Sequence, residues 1–93
     1  MNCIITGATK GIGRAILEKF AKEGANVAFC ARNREDVEQT ILVLKKQCPT
    51  IQIIGEAVDM SKKEAVKAFG KKILEQWDKI DVLVNNVGVY KEG

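Results

Sequence analysis

Histidine is absent from the 93 residues. That absence removes Ser/His/Asp triads, Cys/His dyads and histidine-based metal sites together. Serine occurs once, as Ser61, and tyrosine once, as Tyr90. Aromatic side chains make up only 5% of the chain, without the interleaving of basic and stacking residues that a single-strand nucleic-acid platform presents. The net charge of +3 is modest. Its lysines, Lys45-Lys46, Lys62-Lys63, Lys67 and Lys71-Lys72, read as solvated helix faces, so no nucleic-acid partner is expected. Cys3, Cys30 and Cys48 are odd in number and follow no metal or redox spacing. Cys3 and Cys30 lie inside apolar runs, where a thiol acts as a small buried hydrophobe, and no metal site is expected. No signal-peptide pattern and no bilayer-length apolar run is present. A reducing, cytoplasmic setting without a membrane partner is the expectation.

What is present is glycine in a particular place. Thr6-Gly7-Ala8-Thr9-Lys10-Gly11-Ile12-Gly13 follows the apolar run Cys3-Ile4-Ile5 and precedes a helix-like stretch. Gly7 turns the chain off the strand end, Gly11 removes a Cβ where backbone must approach phosphate oxygens, and Gly13 lets the helix pack close. The helix start then offers N–H groups and a positive dipole end to a pyrophosphate. The loop closes Gly11-Ile12-Gly13-Arg14 and lacks the Gly-Lys-Ser/Thr ending of a P-loop, which argues against that type of ATP or GTP hydrolysis.

Along the chain, short apolar runs alternate with amphipathic stretches, the mark of βαβ units and a parallel sheet. Strands are expected at Asn2–Thr6, Asn26–Cys30, Ile51–Val58 and Ile80–Val84. The first helix carries Ile12, Ala15, Ile16 and Phe20 at helical spacing and stops at Gly24. Asn33 caps the second, with Glu35 and Asp36 in its first turn and Val37, Ile41, Leu44 and Cys48 on one face before Pro49. Ser61-Lys62-Lys63-Glu64 has capping-box form and opens a third, with Val66, Phe69, Ile73 and Trp77 as its stripe. Right-handed crossovers make this an α/β, Rossmann-type parallel sheet in strand order 3-2-1-4, flanked by helices. Ninety-three residues are one small domain at most. The fourth strand is an apolar edge, so residues 1–93 are expected to be the N-terminal part of a single dinucleotide-binding domain in a longer chain.

Three motifs carry a resemblance: the Thr6–Gly13 loop, Asp59 at the end of strand three, and Asn85-Asn86-Val87-Gly88 at the end of strand four. Together they resemble the cofactor-binding part of the short-chain dehydrogenase/reductase family, including NADPH-dependent ketone and 3-oxoacyl reductases. The resemblance implies that Gly7, Thr9, Lys10, Gly11, Ile12 and Gly13 hold pyrophosphate and adenine ribose. It implies that Asp59 accepts from the adenine amino group beside the Met60 backbone, and that Asn86 and Gly88 line the ribose. Val87 departs from the family's usual alanine. The residue that chooses the nucleotide lies about 20 residues past the glycines, just after strand two. An acid there holds the ribose hydroxyls of NAD; here the chain reads Ala31-Arg32-Asn33-Arg34. Arg32 stands where a 2′-phosphate would lie, Lys10 adds a second cation, and NADP(H) is the expected cofactor. Glu35 or Asp36 could serve as a ribose ligand, but both fit better as first-turn acids.

The family's hydride transfer uses a serine and a Tyr-x-x-x-Lys pair beyond strand four, the lysine lowering the phenol's pKa. Tyr90 is followed by Lys91-Glu92-Gly93 and does not match that spacing. No catalytic residue is therefore expected within residues 1–93. The expected function is the NADP(H)-binding portion of an oxidoreductase acting on a small-molecule carbonyl or alcohol, homo-oligomeric as a whole protein. A non-catalytic dinucleotide-binding module is the alternative.

Overall fold

The computed structural model describes residues 1–8 and 10–85. Its elements are β1 (Asn2–Thr6), α1 (Gly11–Lys22), β2 (Asn26–Ala31), α2 (Arg34–Gln47), β3 (Ile53–Ala57), α3 (Lys63–Gln76) and β4 (Val82–Asn85). All strand pairs are parallel and the order is β3-β2-β1-β4. This is the expected Rossmann-type arrangement.

The strands' period of two divides the core between the sheet's faces. Cys3, Ile5, Val27, Phe29 and Ala31 face α1 and α2, packing on Leu17, Ala21, Val37, Leu44 and Cys48. Ile4, Ala28 and Cys30 face the other way, onto Phe69 and Ile73 of α3 and Trp77 at its C-cap. Two covered faces explain why β1 and β2 read as continuous apolar runs. Beside β4 that second face is open: Leu83 is 65% exposed. An apolar groove of about 410 Å³ runs there between Val66, Phe69, Leu74 and Leu83.

Two helix readings need correction. The inward line of α1 is Gly13, Leu17 and Ala21, with Ile16 and Phe20 on its flank. Ile12 and Ala15 lie on the exposed side. The inward line lies one residue later than Ile12, Ile16 and Phe20, with large Leu17 between Gly13 and Ala21, two small residues that carry little hydropathy signal. The N-cap of α3 is Lys62, without a side-chain cap, so Ser61 does not cap this helix. Its inward residues Phe69, Ile73 and Trp77 are buried as expected. Strand ends shift by one or two residues: β2 extends to Ala31, β3 contracts to Ile53–Ala57, and β4 moves to Val82–Asn85. The residues left outside still pair, as in Val27 N–H to Gln52 O (3.0 Å) and Val58 N–H to Ala31 O (2.9 Å).

Two other helix ends follow the expected chemistry. Gly24 stands at φ 91°. Its N–H donates to Ala21 O (3.0 Å), and that of Ala25 to Phe20 O (3.1 Å). This Schellman geometry ends α1. Asn33 Oδ1 accepts from Asp36 N–H at 3.1 Å, capping α2.

At the amino ends of the strands, side-chain amides stitch the sheet edge. Asn26 Nδ2 donates to Asn2 Oδ1 (3.0 Å), Gln52 N–H to Asn26 Oδ1 (2.9 Å), and Trp77 Nε1–H to Gln52 Oε1 (2.7 Å). The opposite, carboxyl ends carry the site.

Candidate dinucleotide site

The loop after β1 takes the shape its glycines permit. Gly7 (φ 67°) and Gly11 (φ 61°) both occupy the left-handed region, which is costly for a residue with a Cβ. Gly7 N–H donates to Cys30 O at 2.8 Å, and that of Ala8 reaches the same oxygen at 3.3 Å. The turn is thereby tied to the end of β2. A Cβ on Gly11 would meet no atom within 4 Å, so backbone conformation, and no crowding within the protein, calls for glycine there. Lys10, the N-cap of α1, makes no side-chain capping bond, and the first turn of α1 contains no acid. In α2, by contrast, Asn33 caps and Glu35 and Asp36 occupy the first turn. Only the first of these two helix starts lacks acidic compensation for its positive dipole end.

Arg32 follows β2 directly. It is exposed and makes no hydrogen bond or ion pair among the described residues. Its side chain lines two adjoining clefts. One, of about 420 Å³, is shared with Gly7, Lys10, Ala31, Asn33, Asp36 and Met60. The other, of about 490 Å³, is shared with Ala57, Val58, Asp59 and Ser61. The fold thus brings Gly7, Lys10, Arg32, Asp59 and Met60 around one end of the sheet. Ile12 projects from the outer side of α1 at 73% exposure, whereas Gly13 is buried beneath it. Thr9, Asn86 and Gly88 lie outside the described residues.

Asp59 is held by Ser61. The hydroxyl of Ser61 donates to Asp59 Oδ1 at 2.6 Å, and its backbone N–H to the same oxygen at 3.1 Å. These two bonds hold the carboxyl below its ordinary range, with Lys62 and Arg32 adding smaller effects of the same sign. Serine at this position therefore orients an acid before α3, the role that replaces the expected cap. Oδ2 of Asp59 has no partner among the described residues. Met60 places its sulfur 3.9 Å from Cys30 Sγ. Burial pushes the Cys30 thiol up to about 11, which makes it a packing group and leaves little thiolate.

Two features carried no signal in the local sequence. Thr6 Oγ1 donates to Asn85 Oδ1 (3.1 Å), linking the glycine loop's strand to the beginning of the Asn85–Gly88 motif. Asp36 Oδ2 stands 3.7 Å from Lys10 Nζ. An acid three residues after a cap was legible as a helix-start residue, but its reach to a lysine 26 residues earlier depends on how α1 and α2 pack.

The sequence model of the short chain dehydrogenase family matches residues 1–93. The chain belongs to the short-chain dehydrogenase family. It is 38% identical over 87 residues to chlorophyll(ide) b reductase NOL of Oryza sativa subsp. japonica, covering 94% of this chain and 25% of that protein. With 3beta-hydroxysteroid dehydrogenase of Mediterraneibacter gnavus it shares 40% over 86 residues, covering 92% and 30%. Among solved structures, L-sorbose reductase from Gluconobacter frateurii, complexed with NADPH and L-sorbose, superposes with a TM-score of 0.86 at 34% identity. That match covers 99% of this chain and 35% of the other. This short-chain dehydrogenase sequence thus spans about a quarter to a third of the length of the curated relatives it matches. No described helix is long and apolar enough to cross a membrane.

Proposed function

We propose that residues 1–93 form the NADP(H)-binding N-terminal part of a single Rossmann-type domain, within an oxidoreductase that transfers a hydride between NADPH and a carbonyl or alcohol substrate. The observation that carries the choice of nucleotide is Arg32. Its guanidinium has no bonded partner among the described residues and lines the same cleft as Lys10. The position before it is the neutral Ala31, where an NAD-type site places an acid. A planar guanidinium and an ammonium suit a phosphate, and neither suits a bare ribose diol. The donor set fits the cofactor.

In this reading the start of α1 at Gly11, Ile12 and Gly13 binds the pyrophosphate, with Thr9 and Lys10 beside it. Arg32 and Lys10 hold the 2′-phosphate. Asp59, its Oδ1 fixed by Ser61, presents Oδ2 to the adenine amino group beside the Met60 backbone. Asn86 and Gly88 line the ribose. The bound nucleotide supplies the hydride chemistry; these residues bind and orient it, and none within residues 1–93 is assigned an acid–base role. NADPH- and NADP-bound relatives support the choice of cofactor, and three free, buried thiols support a reducing, cytoplasmic setting.

The test is Arg32→Ala, with NADPH and NADH titrated separately by calorimetry. A charge-assisted bond contributes about 1.5–3 kcal/mol, and less at an exposed position, so NADPH should weaken about tenfold. NADH should change less than about twofold. Equal losses for both nucleotides would reject the assignment of Arg32 to the 2′-phosphate.

A further inference from the structure

The cleft assigned to the 2′-phosphate is not lined by cations alone. Asp36 borders it too, and its carboxylate already holds one of those cations, Lys10, at 3.7 Å. We infer that Asp36 is a specificity-determining residue: it competes with the nucleotide's 2′-phosphate for the Lys10 ammonium and so tempers the preference for NADP(H). This rests on the NADP(H) reading above and adds a residue of opposite sign to it.

Asp36 is anchored where it can do this. Its N–H donates to Asn33 Oδ1 at 3.1 Å, and its carbonyl accepts from Thr40 Oγ1 at 2.7 Å. Thr40, buried at 1% exposure, accepts in turn from Arg14 Nη1 at 3.3 Å. Arg14 belongs to the first turns of α1, the helix whose start adjoins Lys10. A bonded path therefore joins the starts of the two helices and keeps the Asp36 backbone in register with the glycine loop. Lys10, by contrast, is 82% exposed along its side chain, so its ammonium is free to move between the carboxylate carried by this anchored backbone and an arriving phosphate. Arg32, across the same cleft, is in no ion pair among the described residues; the nearby Asp59 carboxylate acts on it only at longer range.

Bound 2′-phosphate carries up to two negative charges near neutral pH. To engage it, Lys10 must leave Asp36 or share itself between two anions. NADH has no group at that place and leaves the pair undisturbed. An exposed ion pair of this type contributes about as much as a two- to fivefold change in affinity, and less in salt.

The experiment titrates the full chain with NADPH and with NADH at low ionic strength, as wild type, Asp36→Asn, Lys10→Ala and the double variant. Far-UV circular dichroism melts check that each variant is folded. Asp36→Asn should tighten NADPH by about three- to fivefold and alter NADH by less than about 1.5-fold. In the Lys10→Ala background the same substitution should change NADPH by less than about 1.5-fold, because the contested ammonium is gone. Weaker or unchanged NADPH binding in Asp36→Asn would overturn the inference while leaving the NADP(H) reading intact. A gain undiminished without Lys10 would also overturn it, replacing competition with direct repulsion. Failure of the wild-type chain to bind either nucleotide would reject both.

Discussion

Gly55 is the position where the sheet has least room, and Gly55→Ala tests the packing that supports the site. It lies in β3, opposite Phe29 of β2. A Cβ built there would stand 2.7 Å from Phe29 Cζ, 2.8 Å from Ile41 Cδ1 and 2.9 Å from Phe29 Cε1. Carbon atoms normally meet at about 3.5–4.0 Å, so each contact is short by most of an ångström. The Ile41 methyl ends a flexible, half-buried side chain and can yield. Phe29 cannot do so cheaply: its ring is fully buried, and α1 and α2 close the core around it. Overpacking of this kind costs about 1–3 kcal/mol. Alanine regains about 0.4–1 kcal/mol by restricting the unfolded chain, which leaves a net loss centred at about 1 kcal/mol and reaching about 2.5 kcal/mol. Denaturant unfolding followed by the fluorescence of Trp77, the one tryptophan in the sequence, should show a lower midpoint at unchanged m. Adding Phe29→Leu, which removes the offending ring edge, should make the pair less destabilised than the sum of the single losses. An unaltered or raised midpoint in Gly55→Ala would refute the reasoning.

Other expectations concern charge. Ser61→Ala removes the 2.6 Å bond to Asp59, so the Asp59 carboxyl, followed by carbon-detected NMR titration, should titrate closer to its ordinary value; an unchanged titration would assign the depression to other groups. Asp81 is held below the ordinary carboxylate range, first by the Asn2 N–H bond and then by Lys79. A depressed folded-state value contributes stability that is present above the unfolded value and lost as pH falls through the folded one. The stability gap between wild type and Asp81→Asn should therefore narrow on acidification below the ordinary Asp range, and a pH-independent gap would contradict the linkage.

The strands, three helices and the place of Arg32 were legible because each rests on a local pattern: apolar runs for strands, a cap at Asn33, and a strand end that puts the next residue at the sheet's carboxyl edge. Strand order followed from the right-handed crossover rule. The errors share a different origin. In α1 the apolar spacing runs through Ile12, Ala15, Ile16 and Phe20, whereas the inward line is Gly13, Leu17 and Ala21. The close packing expected of Gly13 is there, but Gly13 and Ala21 carry little hydrophobic weight and leave the line without a hydropathy signal. At Ser61 the residue types allowed two bonding directions, forward to cap α3 or back to Asp59. The capping-box spacing favoured the first, and the aspartate two residues earlier, a stronger acceptor, takes both the hydroxyl and the N–H. The Lys10–Asp36 pair had no local trace, since it forms only when α1 and α2 lie side by side on one sheet face. Short-range bonding rules therefore located the elements, while contacts between elements were left to the fold.

The two ends of the sheet divide their polar groups by purpose. At the amino ends, Asn2, Asn26, Gln52 and Trp77 satisfy one another across three strands and α3, and the Asp81 carboxylate accepts from the first strand's backbone at 2.8 Å. Such groups are spent on holding strands in register, and an incoming ligand would have to break bonds to use them. At the carboxyl ends Thr6 also bonds Asn85 between β1 and β4, but other polar groups there stand uncommitted. Among the described residues, Arg32 has no bonded partner, one oxygen of Asp59 is fixed while the other is left over, and α1 starts at Lys10 with no side-chain capping bond and no acid in its first turn. An exposed guanidinium loses little by waiting in water, so keeping these groups uncommitted costs the fold almost nothing. The same groups become strong recognition elements once a phosphate reaches them. Arg32 and the outer oxygen of Asp59 take no part in the bonds that hold the strands in register, so charge at these two positions can be changed with little disturbance to strand pairing.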